Sequence, residues 1–175
     1  INPMDDIVAA GPYLGFETDV SGYGNNDHMN YSDQSGTVAP GLGMGAYPKM
    51  AIFREFIDSY RDQHFITSDG SPDTTTVVRR TTQILQKHGL SDRPGIQSVA
   101  GVSIYPSEYF NPKDRYTGEL LISDKTKSIH HYGKSWLSSR ELYEHNVVSW
   151  LMRHNVRGKK AFIIATGISA LRHGD

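Results

Sequence analysis

Between Ile96 and Tyr105, two runs of strand-forming residues, Ile96–Val99 and Val102–Tyr105, are separated by Ala100-Gly101 alone. A two-residue connection of this kind is typical of a short hairpin, so the stretch predicts two antiparallel neighbours in a sheet. Helical spacing upstream supplies the other half of the pattern. After Pro48, Ile52, Phe53, Phe56, Ile57 and Tyr60 recur every three or four residues, which predicts a helix begun by that proline with one apolar stripe in the core. A second helix is expected from about Asp73 to His88, capped by Asp73 and stopped by Gly89. Its buried face should carry Val77, Ile84 and Leu85, with Arg79, Arg80, Gln83 and Lys87 in water. Capping is the expected role of the threonines at 74–76, ahead of holding a phosphate or sugar oxygen.

The rest of the chain reads in the same way. A strand is expected at Tyr13–Glu17. A short helix should span Pro3–Val8, with Asn2 as N-cap and two carboxylates in the first turn. A last helix should run from Ser138 or Ser139 to Arg153 with Leu142, Val147, Trp150 and Leu151 inward. The 175 residues fall within the ~100–200 typical of one domain, so the expectation is one α/β domain or part of one. Residues 1–157 are assigned to that domain, and 158–175 form a tail with no chemistry legible in it.

Composition narrows the partners. The 18 basic and 19 acidic side chains give a net charge of −1, which offers no footprint for nucleic acid or an anionic membrane surface. No cysteine is present, which excludes disulfides and thiolate metal sites. The longest apolar run, Ala161–Ala165, is far short of the ~20 residues needed to span a bilayer.

Thr18–Gly36 is rich in Gly, Asn, Asp and Ser, and reads as a long loop, either a mobile surface excursion or a lid facing an acceptor. Gly41-Leu42-Gly43-Met44-Gly45-Ala46 is not a dinucleotide fingerprint, because its glycines alternate. Alternating glycines in a strand point to close approach by a ligand or a neighbouring segment. The aromatics Tyr105, Tyr109, Phe110 and Tyr116 gather around Pro106 and Pro112; packing is expected for most of them, although such faces can also stack on sugars.

The densest chemistry lies in Ser128-Ile129-His130-His131-Tyr132-Gly133-Lys134-Ser135-Trp136. An imidazole can ligate a divalent cation, an ammonium and a hydroxyl can hold phosphate oxygens, and a glycine lets backbone approach a ligand. A half-buried strand end is the plainer reading of the same residues.

Val102-Ser103-Ile104-Tyr105-Pro106-Ser107-Glu108-Tyr109-Phe110-Asn111-Pro112, followed by Thr117-Gly118 and then Ile129-His130-His131 and Ser135-Trp136, resembles the carboxyl-terminal part of glycosyltransferase family 32, bacterial polysaccharide enzymes with a DXD sugar-binding motif. Upstream, Asn2-Pro3-Met4-Asp5-Asp6 is similar to the segment that follows the family's DXD strand, Leu14-Gly15-Phe16-Glu17 to its "GFE", and Val38–Ala46 to the stretch entering the next helix. The DXD itself is missing: Glu17-Thr18-Asp19 has the spacing but falls after the "PMDD" landmark instead of before it. The resemblance therefore implies a chain that starts just downstream of the DXD, a reading that Ile1 in place of an initiator Met also fits.

What the resemblance implies is the carboxyl-terminal part of a Rossmann-like nucleotide-sugar transferase with a mixed sheet and flanking helices. The activity implied is metal-dependent transfer, with retention, of a sugar from a nucleoside diphosphate sugar to a saccharide acceptor. His130 carries over as the metal ligand, for Mn²⁺ or Mg²⁺, with His131 as runner-up on the opposite face of a strand. His131, Gly133, Lys134, Ser135 and Trp136 carry over to the diphosphate, and Glu17 and Asp19 to the sugar and acceptor side. The family's Asn near Val38-Ala39-Pro40 has no counterpart here, so its role does not transfer. The fragment alone is expected to be inactive, to lack the amino-terminal half of its own protein, and to self-associate through exposed sheet edges. The implied compartment is the cytoplasm, at the periphery of the inner membrane. The competing reading is a noncatalytic carbohydrate- or protein-binding module, which explains the missing DXD without truncation. A stand-alone histidine metal site ranks below both, since no helical His pair or HExxH motif occurs.

Overall fold

A computed structural model describes residues 1–18, 36–114, 118–133 and 137–153. They fall into two units, one of Ile1–Pro112 with Leu121–His130, the other of Lys113–Leu120 with the chain from His131 onward.

The first unit is mixed α/β. Helix α1 (Asp5–Ala10) leads into β1 (Tyr13–Thr18) and then β2 (Thr37–Val38). After them come α2 (Ala51–Asp58), α3 (Val77–Lys87), β3 (Gln97–Val99), β4 (Val102–Tyr105) and the single turn α4 (Ser107–Phe110). The sheet order is β2-β1-β4-β3. The central pair β1 and β4 is parallel, with Tyr13, Leu14 and Gly15 opposite Ser103, Ile104 and Tyr105, and the outer strands are antiparallel to them. The expected hairpin forms: Val99 faces Val102, and Ala100 and Gly101 take φ of 49° and 78°, the positive values a primed two-residue turn requires.

Alternation along the two parallel strands sends side chains to two cores. Leu14, Phe16, Val102 and Ile104 face one way and meet Ile52, Ile84, Leu85 and Leu90 of the α2–α3 layer. Leu14, Val102 and Ile104 have no exposed surface, and full burial of a side chain of this size stabilises by about 1.5–3 kcal/mol. On the other face Tyr105 and Phe110 cluster with Ile7 and the half-buried Met4, Tyr13 and Tyr109. The rings of Tyr13 and Phe110 stack with centroids 5.6 Å apart, and Tyr105 meets Phe110 edge-on, so these aromatics are packing, as expected. Gly15 lies beneath them because a Cβ there would stand 2.6 Å from the Phe110 ring.

Several boundaries differ from the sequence reading. Asn2 does not cap α1: its backbone N–H donates to Thr126 O at 2.9 Å and its side-chain amide to Asp124 O, while Met4 occupies the cap position. Pro48 lies in a turn before α2, where Lys49 has a φ of 65° and Met50 is the N-cap. Ile52 is buried and Phe53 and Phe56 pack beside it, but Ile57, within the helix, and Tyr60, beyond its end at Asp58, are exposed. Residues 41–46 are not a strand. Pro40–Leu42 form a 3₁₀ turn, and Gly45 alone bridges to Tyr13 with two 3.0 Å backbone bonds, so a neighbouring segment makes the close approach that glycine permits.

Helix α3 starts later than expected. Thr76 Oγ1 accepts from Arg79 N at 3.2 Å, whereas Asp73 accepts from Thr75 N and pairs with Arg80. Val77 is exposed and Thr81 and Thr82 are buried in its stead. The reason is β2: Thr82 Oγ1 accepts from Val38 N at 2.9 Å and donates to Val78 O at 2.8 Å, which satisfies an edge-strand N–H. At the far end Gly89 has a φ of 99°, Leu90 N donates to Leu85 O and Gly89 N to Gln86 O, a Schellman stop at the expected glycine.

In the second unit α5 (Ser139–Arg153) begins with a capping box, in which Ser138 N donates to Glu141 Oε2 at 2.8 Å and Glu141 N to Ser138 Oγ at 3.3 Å. Leu142 and Trp150, expected inward, are exposed. The loop at 19–35, Tyr116 and the tail from 158 lie outside the described residues. No described helix is long and apolar enough to cross a membrane.

Candidate functional site

Ligands of open α/β sheets gather at the carboxyl ends of parallel strands. Here those ends belong to β1 and β4. Glu17, half-buried, is the penultimate residue of β1, and its carbonyl accepts a 3.0 Å hydrogen bond from Asn111 Nδ2. Asn111 is 5% exposed and follows α4, the turn that extends β4, so the bond joins the two strand ends.

The segment leading to His130 is laced to the same turn. Thr126 Oγ1 donates to Glu108 O at 3.0 Å, Lys127 N and Ser128 N to Tyr109 O at 2.7 and 3.2 Å, and Ser128 Oγ to Phe110 O at 3.2 Å. Lys125 binds Glu108 at 2.9 Å, which raises the lysine above its ordinary value. The other side of the segment is tied to the chain's first residues. Besides the Asn2 bonds, Lys127 Nζ donates to Pro3 O at 3.0 Å and meets the Asp6 carboxylate at 2.8 Å, with only 7% of the lysine side chain exposed. That hydrogen bond holds the Asp6 carboxyl below the usual carboxylate range.

The fates of the expected site residues therefore differ. Glu17 and the Ser128–His130 stretch meet around α4 in the first unit. His130 is half-buried there, while His131 belongs to the second unit and is exposed. Neither lies in a strand, so alternation does not separate the two imidazoles, and Tyr132 instead takes a φ of 54°. Lys113 Nζ reaches the His131 carbonyl at 3.4 Å. Gly133 is exposed, with nothing within 4 Å of where a Cβ would stand, so no described neighbour requires glycine there. Asp19, Lys134, Ser135 and Trp136 lie outside the described residues.

Among the described residues no three His, Asp or Glu side chains converge as a metal site would demand. The described residues do not make a metal centre by themselves. Asn111 is the residue that the sequence reading overlooked. Its signal was the Asn-Pro dipeptide after a helical turn, which marks a chain reversal without saying what the amide would reach. No family model, curated protein or solved structure matches the chain.

Proposed function

We propose that this chain is the carboxyl-terminal part of a metal-dependent, retaining glycosyltransferase of the family 32 type. It would move a sugar from a nucleoside diphosphate sugar to a saccharide acceptor during bacterial surface polysaccharide assembly, on a sheet that an amino-terminal half bearing the DXD would extend to a Rossmann-like one. One observation carries the reading. The segment ending in His130 is bonded on one side to α4, beside the Glu17–Asn111 link, and on the other to Asn2, so Glu17 and the stretch that leads to His130 meet at one end of the parallel pair. The resemblance puts the DXD carboxylates immediately before Asn2, next to the segment that bears His130.

In this reading His130 would supply one imidazole towards a Mn²⁺ or Mg²⁺ ion, alongside carboxylates of a DXD motif. The metal's contribution is to offset the negative charge on the departing diphosphate. The remaining work belongs to side chains. Glu17 and Asp19 orient an acceptor hydroxyl or support positive charge developing at the anomeric carbon. The resemblance assigns His131, Gly133, Lys134, Ser135 and Trp136 to the diphosphate. The alternative is a noncatalytic binding module; of the aromatics gathered for its sugar platform, Tyr105 and Phe110 are buried, Tyr109 is half-buried, and Tyr116 lies outside the described residues.

The test is release of nucleoside diphosphate from UDP- and GDP-sugars with Mn²⁺. The chain alone should release none, and a protein extended through the upstream coding sequence should. In that longer protein His130→Ala should abolish metal-dependent release without changing the circular dichroism spectrum. Loss only on His131→Ala would move the ligand by one residue. Turnover by the present chain would refute the proposal.

A further inference from the structure

The side of α3 turned away from the sheet borders a groove of about 600 Å³, a size typical of ligand sites. Arg80, Gln83, Gln86 and Lys87 of α3 and Ser59 after α2 line it, over the buried Ile84. Arg80, Gln83 and Lys87 stand at i, i+3 and i+7 and so share one side of the helix. The two cations are seven residues apart, about 10 Å along the axis.

The two cations are not equivalent. Arg80 is fixed: its guanidinium lies 5.1 Å over the Tyr60 ring, pairs with Asp73, and is 15% exposed. Nearby, Arg54 and Arg61 share Asp58, and His88 pairs with Glu55. Lys87, at the exposed end, has no carboxylate partner among the described residues. Of the two cations that line the groove, Lys87 is therefore the one left to pair with an anionic group on a ligand.

The space between the cations favours hydroxyls. Gln83 and Gln86 each offer a donor pair and an acceptor, and Ser59 Oγ, which donates to Phe56 O at 2.7 Å, keeps lone pairs to accept with. Sugar hydroxyls both donate and accept. A nucleotide base would need an aromatic face, and none lines this groove.

We propose that the groove binds an oligosaccharide that carries a carboxylate, with Lys87 pairing the carboxylate and Gln83, Gln86 and Ser59 holding the hydroxyls. Its role as a holding site for an acidic acceptor strand rests on the transferase reading; the binding itself does not.

The experiment is an NMR titration of the ¹⁵N-labelled chain with a glucuronate-containing tetrasaccharide, a neutral tetrasaccharide of equal length, and inorganic phosphate. The acidic tetrasaccharide should give saturable shifts centred on Ser59, Gln83 and Lys87. The neutral one should bind about tenfold more weakly or worse, the expected loss of one charge-assisted contact. Lys87→Ala and the helix-compatible Lys87→Gln should lower affinity for the acidic probe alone, and Gln83→Ala should lower both. No saturable shift, shifts centred elsewhere, or equal binding of the two tetrasaccharides would overturn the proposal. Identical shifts with phosphate would reduce the groove to a simple anion site and overturn it as well. Nucleotide-sugar turnover is read separately in the longer protein, so binding without turnover defeats the transferase reading and leaves the groove, and turnover without binding does the reverse.

Discussion

Gly15 illustrates how far a single residue can depend on a distant partner. The Phe110 ring occupies the space of its missing side chain, is 1% exposed, and is itself held by Tyr13 and Tyr105. Because the ring cannot retreat, Gly15→Ala should destabilise by about 1–3 kcal/mol, read as a lower urea midpoint with an unchanged slope. Partial recovery on adding Phe110→Leu would confirm the cause, and a neutral Gly15→Ala would disprove it. The sequence flagged this glycine only through a family pattern, since nothing local demands it. Asn2 fails as an N-cap for the same reason: a local reading assigns its amide to the next helix, yet its partners are Asp124 and Thr126. At Asp69 the effect is local. Ser71 Oγ, then Thr67 Oγ1 and Ser71 N, bind its carboxylate and lower it from 3.8 to about 2. A depressed folded value means that the turn's added stability is complete above about pH 4 and is lost as the pH falls through about 2. Amide exchange at Ser71, corrected for its intrinsic pH dependence, should accelerate across that window, and a flat profile would contradict the assignment.

At the level of elements, the features written in short-range chemistry were the legible ones. The hairpin follows from its two-residue turn, and the end of α3 from Gly89. The hairpin nevertheless carries a strained residue, because Ala100 holds a φ of 49° that an L-residue with a Cβ adopts at a cost. Ala100→Asn, a residue more tolerant of that region, should raise stability by about 1 kcal/mol in thermal or urea melts; a loss of stability would show that Ala100 is needed for packing. Helix starts were less legible than stops. Asp73 was available as a cap by composition, but it is engaged with Thr75 and Arg80, and Thr76 does the capping three residues later. The inward face of α3 was misjudged in part because two threonines lie on it, and of these Thr82 is drawn inward by the Val38 N–H, a partner that no local pattern reveals. The His-His-Tyr run was read as strand from composition alone. In the fold it is irregular chain whose preceding residues, Thr126–Ser128, take their bonds from α4 instead of a sheet.

For the whole molecule, the α/β class and the mixed sheet could be anticipated, while the stitching that assembles the candidate site could not. Periodicity reports which residues face inward and is silent on which segment meets which. The bonds from Asn2, Pro3 and Asp6 to Asp124–Lys127 span 121 to 124 residues. A chain stopped after Ser123 should therefore keep its β3–β4 hairpin yet release α1, and thermolysin should then cut before Ile7, which is 2% exposed in the intact fold. Equal resistance in both chains would show that α1 is held by the sheet alone. The same long-range bonds constrain synthesis on the ribosome. At about 5–20 residues per second, Pro3 waits about 6–25 s for Lys127, 124 residues later, to be made. The first helix is thus made well before the segment that secures it, and during that interval its apolar Ile7 is open to chaperones and to neighbouring nascent chains.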